Sequence, residues 1–308
     1  MTKKLIVEIA EGFGNQLFMY AHAFALAKEI DYDLLIDNTS GYSKKKNKMR
    51  NHQKYMLDVT KIIQDIAPSK YKYDNFFKRI KKKIELIFGK FNIKKKFIIE
   101  KNKKINGKKI AEPFKFVDKN KISNTLYVQG NYENHEYFKK YRSDLIKIFK
   151  PNNNLIVNNN SIINELKNSN SVSIHIRRHK YSEQIHEKKS KYKLFKSENF
   201  TKDLIDYIKK SVVFFEKKID NPVFYIWSND LEGLENEFTP QKFKFINSKD
   251  FINDFNLFSF AKHFIVGGSS YHWWGAWLNE YPNKICIRPT NLNPSDNKNF
   301  YPESWITV

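Results

Sequence analysis

SVSIHIRRHKY, Ser171 to Tyr181, runs a short apolar strand straight into two adjacent arginines. His175 stands near the strand's carboxyl end, and Arg177 and Arg178 follow it. In open α/β sheets, ligands collect in the crevice beyond the carboxyl ends of the strands. Guanidinium forks suit phosphate oxygens there, because they form paired, charge-assisted hydrogen bonds. A diphosphate is therefore the first ligand to weigh. The plain alternative is an ordinary strand end whose arginines are solvated or salt-bridged.

Working outward, VSIHIRR opens a series of alternating elements. ENFTKDLIDYIKKSVVFFEKK reads as a helix, NPVFYIWSND as a strand with a polar end, and KFKFIN as a short strand. DFINDFNLFSFAKH then reads as a helix, FIVGGSS as a strand with a small-residue end, YHWWGAWLNEY as a helix and KICIRP as the last strand. The N-terminal half starts the same way, with strand KLIVEIA, glycine turn EGFGN, helix QLFMYAHAFALAKEI and strand DLLIDN. Both halves predict βαβ units and an α/β fold. The asparagine-rich run Pro151 to Asn170 marks the boundary, giving domains 1–150 and 151–308. Two tandem α/β halves make a cleft between domains the default site.

The 308 residues are 41% hydrophobic, enough for a sizeable core in two domains. No stretch approaches the roughly 20 apolar residues that span a bilayer, and the N-terminus leads directly into a strand, so a cytoplasmic protein is expected. The single Cys286 excludes an internal disulfide and a multi-cysteine zinc site.

A net charge of +22 raises the question of nucleic acid, but the charge is concentrated. Between Gly41 and Ile110 there are 23 Lys and Arg against 5 Asp and Glu. This stretch, about 43–110, is a basic insertion. Within it, Phe77, Ile80, Ile84, Ile87, Phe88 and Phe91 recur at helical spacing with lysines between them. Such a basic amphipathic helix can dock its apolar face on the core, lie on an anionic membrane surface, or engage an acidic partner. RNA-binding signatures such as an aromatic RNP strand are absent, which argues against nucleic acid.

Two small-residue loops stand where ligands gather. Gly12 and Gly14 lie between a strand and a helix in EGFGNQLF, and glycines there let backbone N–H groups approach an anion at a helix N-terminus. Asn15 and Gln16 add side-chain donors. The spacing is neither GxGxxG nor GxxxxGK[ST], so a tight turn is an equal reading. GGSS, Gly267 to Ser270, repeats the logic, with a serine N-cap as the plain alternative. Trp273, Trp274 and Trp277 at helical spacing read as packing. Asp254 either caps locally or accepts both N–H donors of a guanine. Asp31-Tyr32-Asp33 has the form of a metal-holding D-x-D pair, but it precedes its strand and reads as a turn. No other dense cluster of Asp, Glu or His suggests a metal, so arginines would have to neutralise a diphosphate.

GFGNQLFMYA, LYVQGNYENHEYF, VSIHIRR and DFNLFSFAKHFIVGGSSYHWWGAWLN, in this order, resemble the α-1,2-fucosyltransferases of glycosyltransferase family 11. The resemblance implies a GT-B architecture, two Rossmann-like domains facing across a cleft. It implies GDP-fucose bound mainly by the C-terminal domain, an acceptor on the N-terminal side, and no metal or other cofactor. Carried over by position, Arg177 or Arg178 holds the diphosphate, His175 and Asp254 lie near the guanine nucleoside, and Ser269 and Ser270 contact phosphate. Gly14 and Asn15 close the site from the N-terminal domain, and Asp230 matches a recurrent acidic position. The chain departs from the family at two places. His179 and Lys180 replace a Gly-Asp pair after the arginines, and Glu11 stands where the first loop usually has a second glycine.

The expected reaction is inverting transfer of fucose to a sugar hydroxyl, with Arg177 stabilising the departing GDP. Glu11, Glu133 and His135 are candidates for the base. Two alternatives stand beside it: the same fold using another GDP-deoxysugar such as GDP-colitose, and an inactive basic protein bound to membrane or polyanion. A cytoplasmic transferase with a basic helix suits a lipid-linked glycan acceptor at the inner membrane face.

Overall fold

The computed structural model describes residues 2–42, 54–89, 94–100, 102–105, 108–111, 117–150, 160–179, 191–246, 250–292 and 300–308. Part of the basic insertion (43–53 and 90–93, with Phe91), the first part of the asparagine-rich run (151–159), and Lys180 and Tyr181 lie outside the described residues. The chain divides into two compact units, Met1–Lys150 with Ser295–Phe300, and Pro151–Pro294 with Tyr301–Val308.

The first unit is built on a parallel sheet of β1 (Lys4–Glu8), β2 (Asp33–Asp37), β3 (Lys95–Ile99) and β6 (Ile122–Gln129), in the order β2-β1-β6-β3. The continuous run Leu5, Ile6, Val7 is fully buried in β1, as a strand covered on both faces requires. Between β1 and β2, α1 (Phe13–Ile30) is apolar nearly all round and buried along most of its length. It begins three residues before the predicted Gln16, so Gly12 is its N-cap and Gly14 lies in its first turn. Asp31 ends it in the left-handed region at φ 59°, with its N–H on the Ala27 carbonyl, and Asp33 opens β2; the D-x-D sequence is a turn. A separate antiparallel hairpin pairs β4 (Asn102–Ile105) with β5 (Lys108–Ala111), and α3 (Arg142–Phe149) follows β6.

The basic amphipathic helix forms, as α2 (Phe76–Phe88), capped by the Asn75 side chain on the Lys78 N–H. Its apolar side does not dock on the core. Phe77 is 80% exposed and Ile87 59%, and Phe76, Ile80, Ile84 and Phe88 are exposed with them. The helix is held by its polar side. Lys82 reaches Glu8 at 3.1 Å and Gln129 at 2.8 Å, and Glu85 accepts from Tyr73 and Lys96, each at 2.7 Å. A core-docked apolar face would hide those phenylalanines; here the ion pair with buried Glu8 fixes the helix the other way round.

The second unit contains α4 (Asn160–Asn168), β7 (Asn170–Ile176), α5 (Lys191–Lys218), β8 (Pro222–Ser228), β9 (Phe243–Ile246), α6 (Phe251–Phe258), β10 (His263–Ile265), α7 (Ser270–Leu278) and β11 (Cys286–Ile287). Its sheet is parallel with the order β11-β10-β7-β8-β9, so β7 is central. Val172, Ile174 and Ile176 of β7 pack with Leu204, Ile208 and Phe215 of α5 in the main core cluster. Strand order reverses beside β7, because the chain moves from β7 to β8 and β9 on one side and then returns to β10 on the other. That is the topological switch point of a doubly wound sheet.

Candidate functional site

At the carboxyl end of β7, His175 is buried and Arg177 and Arg178 are half-buried just beyond the strand. The His175 ring lies 3.1 Å from the His272 ring, centroid to centroid, and 5.4 Å from Tyr271, both on α7. Burial, and then the positive charge of Arg177, hold its pKa well below the ordinary histidine value. The ring is therefore neutral at physiological pH, and its Nδ1 has no hydrogen-bond partner among the described residues.

Arg178 is committed locally. Its backbone N–H donates to Asn229 Oδ1 at 2.8 Å, and its guanidinium donates to the Glu232 carbonyl and pairs with Asp230 Oδ2 at 3.1 Å. His179 Nε2 meets the same Asp230 oxygen at 2.8 Å. The His179 hydrogen bond leads the causes that hold the Asp230 carboxyl below its usual range, with the Glu232 N–H and the charge of Arg178 adding to it. Ser228 ties the two strand ends together, donating to the Ile176 carbonyl at 2.8 Å and accepting from the Asp230 N–H at 3.1 Å. So Asp230, from the end of β8, supplies the carboxylate that the segment after the arginines lacks. His179 sits at φ 58°, a left-handed conformation in which glycine is the least strained residue.

The loop after β10 completes this end of the sheet. Gly267 packs against the His175 carbonyl, and a Cβ on Gly268 would overlap the Leu292 carbonyl oxygen, so only glycine fits there. Ser269 occupies the N-cap position of α7, but its hydroxyl makes no capping bond; Ser270 is the first helical residue. Asp254 lies on α6, and its charge and that of Asp250 add to burial in raising the Tyr271 pKa far above normal. Asp254 thus sits near the ring that flanks His175. Trp273, Trp274 and Trp277 are buried and pack on one another, with Trp305 5.6 Å from Trp273, as core rather than as a sugar platform.

In the first unit, the carboxyl ends of β1 and β6 gather a second polar group. Glu11 takes a left-handed backbone at φ 65°. Its carboxylate accepts from Asn15 Nδ2 at 2.5 Å and from Asn131 Nδ2 at 3.2 Å. Gln16, which the sequence offers as a donor to a ligand, is fully buried and bonds the Glu11 and Lys54 carbonyls and the Met56 N–H instead. Glu133 is buried, and His135 lies 3.2 Å from Glu136. Next to this group Asp37, with no exposure, accepts from Tyr127 at 2.7 Å and from Ser40 through both its N–H and its hydroxyl. Among the described residues, no three His, Cys, Asp or Glu form a group able to hold a metal ion.

Sequence reading missed His272 and Tyr271, whose rings pack on His175, and Asn131, which shares Glu11. The YHWW run hid the first two inside a helix read as packing. Asn131 stands two residues past the end of β6 and could have been found as a strand-end residue, by the reasoning applied to the polar end of NPVFYIWSND.

Known proteins extend this picture. Over 99% of its length the chain is 30% identical to an Alpha-1,2-colitosyltransferase of Escherichia coli, covering 98% of that protein. It is 26% identical over 97% of its length to the O-antigen biosynthesis glycosyltransferase WbnK of Escherichia coli, covering 99% of it. In fold it is similar to the NodZ alpha-1,6-fucosyltransferase co-crystallized with GDP, with a TM-score of 0.50 at 12% identity over 93% of this chain and 95% of that one. It is similar also to an Arabidopsis thaliana FUT1 mutant in complex with GDP, with a TM-score of 0.51 at 12% identity over 96% of this chain and 72% of that one. The fold is thus that of the GT-B glycosyltransferases. The family model of Glycosyl transferase family 11 spans residues 4–308, taking in both sheets and both strand-end groups, and the chain belongs to that family of enzymes.

Proposed function

We propose that this glycosyltransferase moves fucose from GDP-fucose to a sugar hydroxyl with inversion, forming an α-1,2 linkage in the synthesis of a surface glycan, with neither metal nor other cofactor. The observation that carries the reading is the arrangement at the end of β7. Arg177 stands at the switch point of a parallel sheet, beside a neutral His175 and next to a loop in which Gly268 has no room for a side chain. Two solved structures of similar fold hold GDP.

In this reading the second unit binds the donor. Arg177 pairs with the diphosphate. Asp230 fixes Arg178 and His179 in place, so that the strand end presents organised positive charge. The backbone at Gly268 to Ser270 opens α7, whose first N–H groups favour anions, and Ser269 and Ser270 add hydroxyl donors. His175 and Asp254 face the nucleoside, where a carboxylate accepts both N–H donors of guanine. The first unit binds the acceptor, with Gly14 and Asn15 at its edge.

The acceptor oxygen attacks C1 of the sugar as the bond from C1 to the β-phosphate oxygen breaks. The electron pair of that bond leaves with GDP, and the hydroxyl proton passes to the Glu11 carboxylate. The transition state has oxocarbenium character, as in glycoside hydrolysis. Charge on the departing diphosphate grows as the bond lengthens, so Arg177 acts most strongly in the transition state. Two amide donors keep the Glu11 carboxylate oriented, and a reaction driven by leaving-group departure asks little of its base.

A second donor is favoured by one observation, the 30% identity to a colitosyltransferase. Colitose lacks the 3-hydroxyl of fucose. A site that hydrogen-bonds that hydroxyl rejects colitose strongly, whereas an apolar one discriminates weakly. Incubation of the purified protein with each GDP-sugar and a β-galactoside, with the product linkage read by NMR, tests both. Transfer from GDP-fucose into an α-1,2 product is expected. Transfer from GDP-colitose with none from GDP-fucose decides for the second reading, and use of UDP-sugars alone overturns both. The acceptor is proposed to be lipid-linked, presented at the inner membrane face.

A further inference from the structure

Helix α2 carries an apolar side that nothing among the described residues covers, and its chemistry names an occupant. At about 100° per residue, Phe76, Phe77, Ile80, Ile84, Ile87 and Phe88 fall within an arc of about 120°. All six are exposed, from 40% at Ile80 to 80% at Phe77. The residues that hold the helix, Lys78, Lys82 and Glu85, lie on the opposite side, where they meet Asp74, Glu8 and Tyr73. Arg79 and Lys83 border the apolar arc along one edge and Lys81 along the other. The one acidic residue of the helix, Glu85, is turned away and engaged by Lys96.

We propose that α2 is a membrane-docking helix that seats the enzyme on an anionic phospholipid surface. At 13 residues it is too short to cross a bilayer, and no helix of the described residues is long and apolar enough to do so. It lies in the interface plane instead, with the aromatic and aliphatic side chains among the acyl chains and the flanking cations at the headgroups. The surrounding stretch from Gly41 to Ile110, with 23 basic residues against 5 acidic, adds attraction to negatively charged lipid. The anchor is rigid. Lys82 is bonded to Glu8 at the end of β1 and to Gln129 at the end of β6, three residues before and two before Glu11 and Asn131 respectively. Docking therefore brings the sheet end that carries Glu11 to the bilayer. This surface is independent of which sugar is transferred, and its test does not depend on transfer.

The experiment is co-sedimentation of the full chain with phosphatidylcholine vesicles and with vesicles in which about one third of the lipid is phosphatidylglycerol. Partition onto the anionic vesicles should exceed that onto neutral ones at least about tenfold and weaken with salt. The double variant Ile84→Glu, Ile87→Glu, changed only at exposed positions, should lose about tenfold or more. Lys81→Glu with Lys83→Glu, which leaves the apolar side intact, should lose a similar factor while GDP binding stays unchanged. Wild-type protein left in the supernatant, or variants that partition like wild type, would overturn the proposal. So would a dimer in sedimentation velocity that Ile84→Glu, Ile87→Glu dissociates, since the apolar side would then belong to a second copy.

Discussion

Asp230 Oδ2 accepts the imidazole of His179 at 2.8 Å, across the gap between the ends of β8 and β7. The same oxygen holds Arg178 at 3.1 Å. One carboxylate therefore orders both side chains that follow Arg177. Asp230→Ala should weaken GDP binding about tenfold by releasing them, with Asp230→Asn intermediate because it keeps a hydrogen-bond acceptor. Isothermal titration with GDP checks this; unchanged affinity in Asp230→Ala would mean that the pair is structural only.

Arg177 is the residue assigned to the diphosphate itself. A charged hydrogen bond contributes about 1.5–3 kcal/mol, so Arg177→Ala should lower kcat by about ten- to a hundredfold or more. Arg177→Lys should recover only part, because an ammonium cannot reproduce the bidentate fork. Initial rates at saturating donor separate this loss from one in KM.

Glu11 combines a left-handed backbone at φ 65° with a carboxylate held by two amides. Glu11→Gln should reduce kcat at least about tenfold at unchanged melting temperature. Glu11→Gly should lose as much activity yet stay at least as stable, since relief of left-handed strain is worth about 1 kcal/mol. Parallel rate and thermal-melt measurements distinguish a base from a turn residue.

The ion pair of Lys82 and Glu8 is 12% and 4% exposed, so neither charge is well solvated. Lys82→Met should cost up to about 3 kcal/mol by removing the cation beside buried Glu8, which keeps the Tyr127 hydroxyl at 3.0 Å, and adding Glu8→Gln should restore much of it. Urea unfolding of the two single variants and the double variant measures the coupling.

Acid should destabilise the fold early. Burial pushes the His22 pKa down to about 3, burial and Lys262 push that of His263 down to about 4, and His175 is also lowered. These folded values lie below the unfolded one near 6.5, so the unfolded chain takes up protons first. Stability is full well above pH 6.5 and falls as pH drops toward 4, by up to about 2 kcal/mol at pH 5 for each of His22 and His263. His263 shows why: its Nδ1 accepts the Ile285 N–H at 3.1 Å and cannot do so when protonated. Calorimetric melts from pH 7 to pH 4.5 should shift steadily downward, with a smaller shift in His22→Phe.

The elements that bury one continuous apolar run were legible in the sequence. β1, β7 and β8 stand within two residues of their predicted ends, and the switch point at β7 follows from their order. Helix starts were less legible: α1 begins at Phe13, with Gly12 as its N-cap and Gly14 tolerated in a first turn that packing encloses. The two departures from the family's glycines, Glu11 and His179, turned out to be the same kind of position. Both keep a left-handed backbone, at φ 65° and 58°, and both turn their new side chain onto a polar partner nearby. That partnership is long-range for His179 and was invisible in the local string. The orientation of α2 was equally hidden, because an amphipathic pattern states which residues share a side and not which side meets the protein.

The central claim is a GDP-specific, metal-independent donor site at the end of β7, and calorimetric titration of GDP and UDP in the presence of EDTA tests it most directly. Binding of GDP that is at least about tenfold tighter than UDP, unaffected by the chelator and lost in Arg177→Ala, is the predicted result. Equal affinity for the two nucleotides, or loss of GDP binding on chelation, would contradict it.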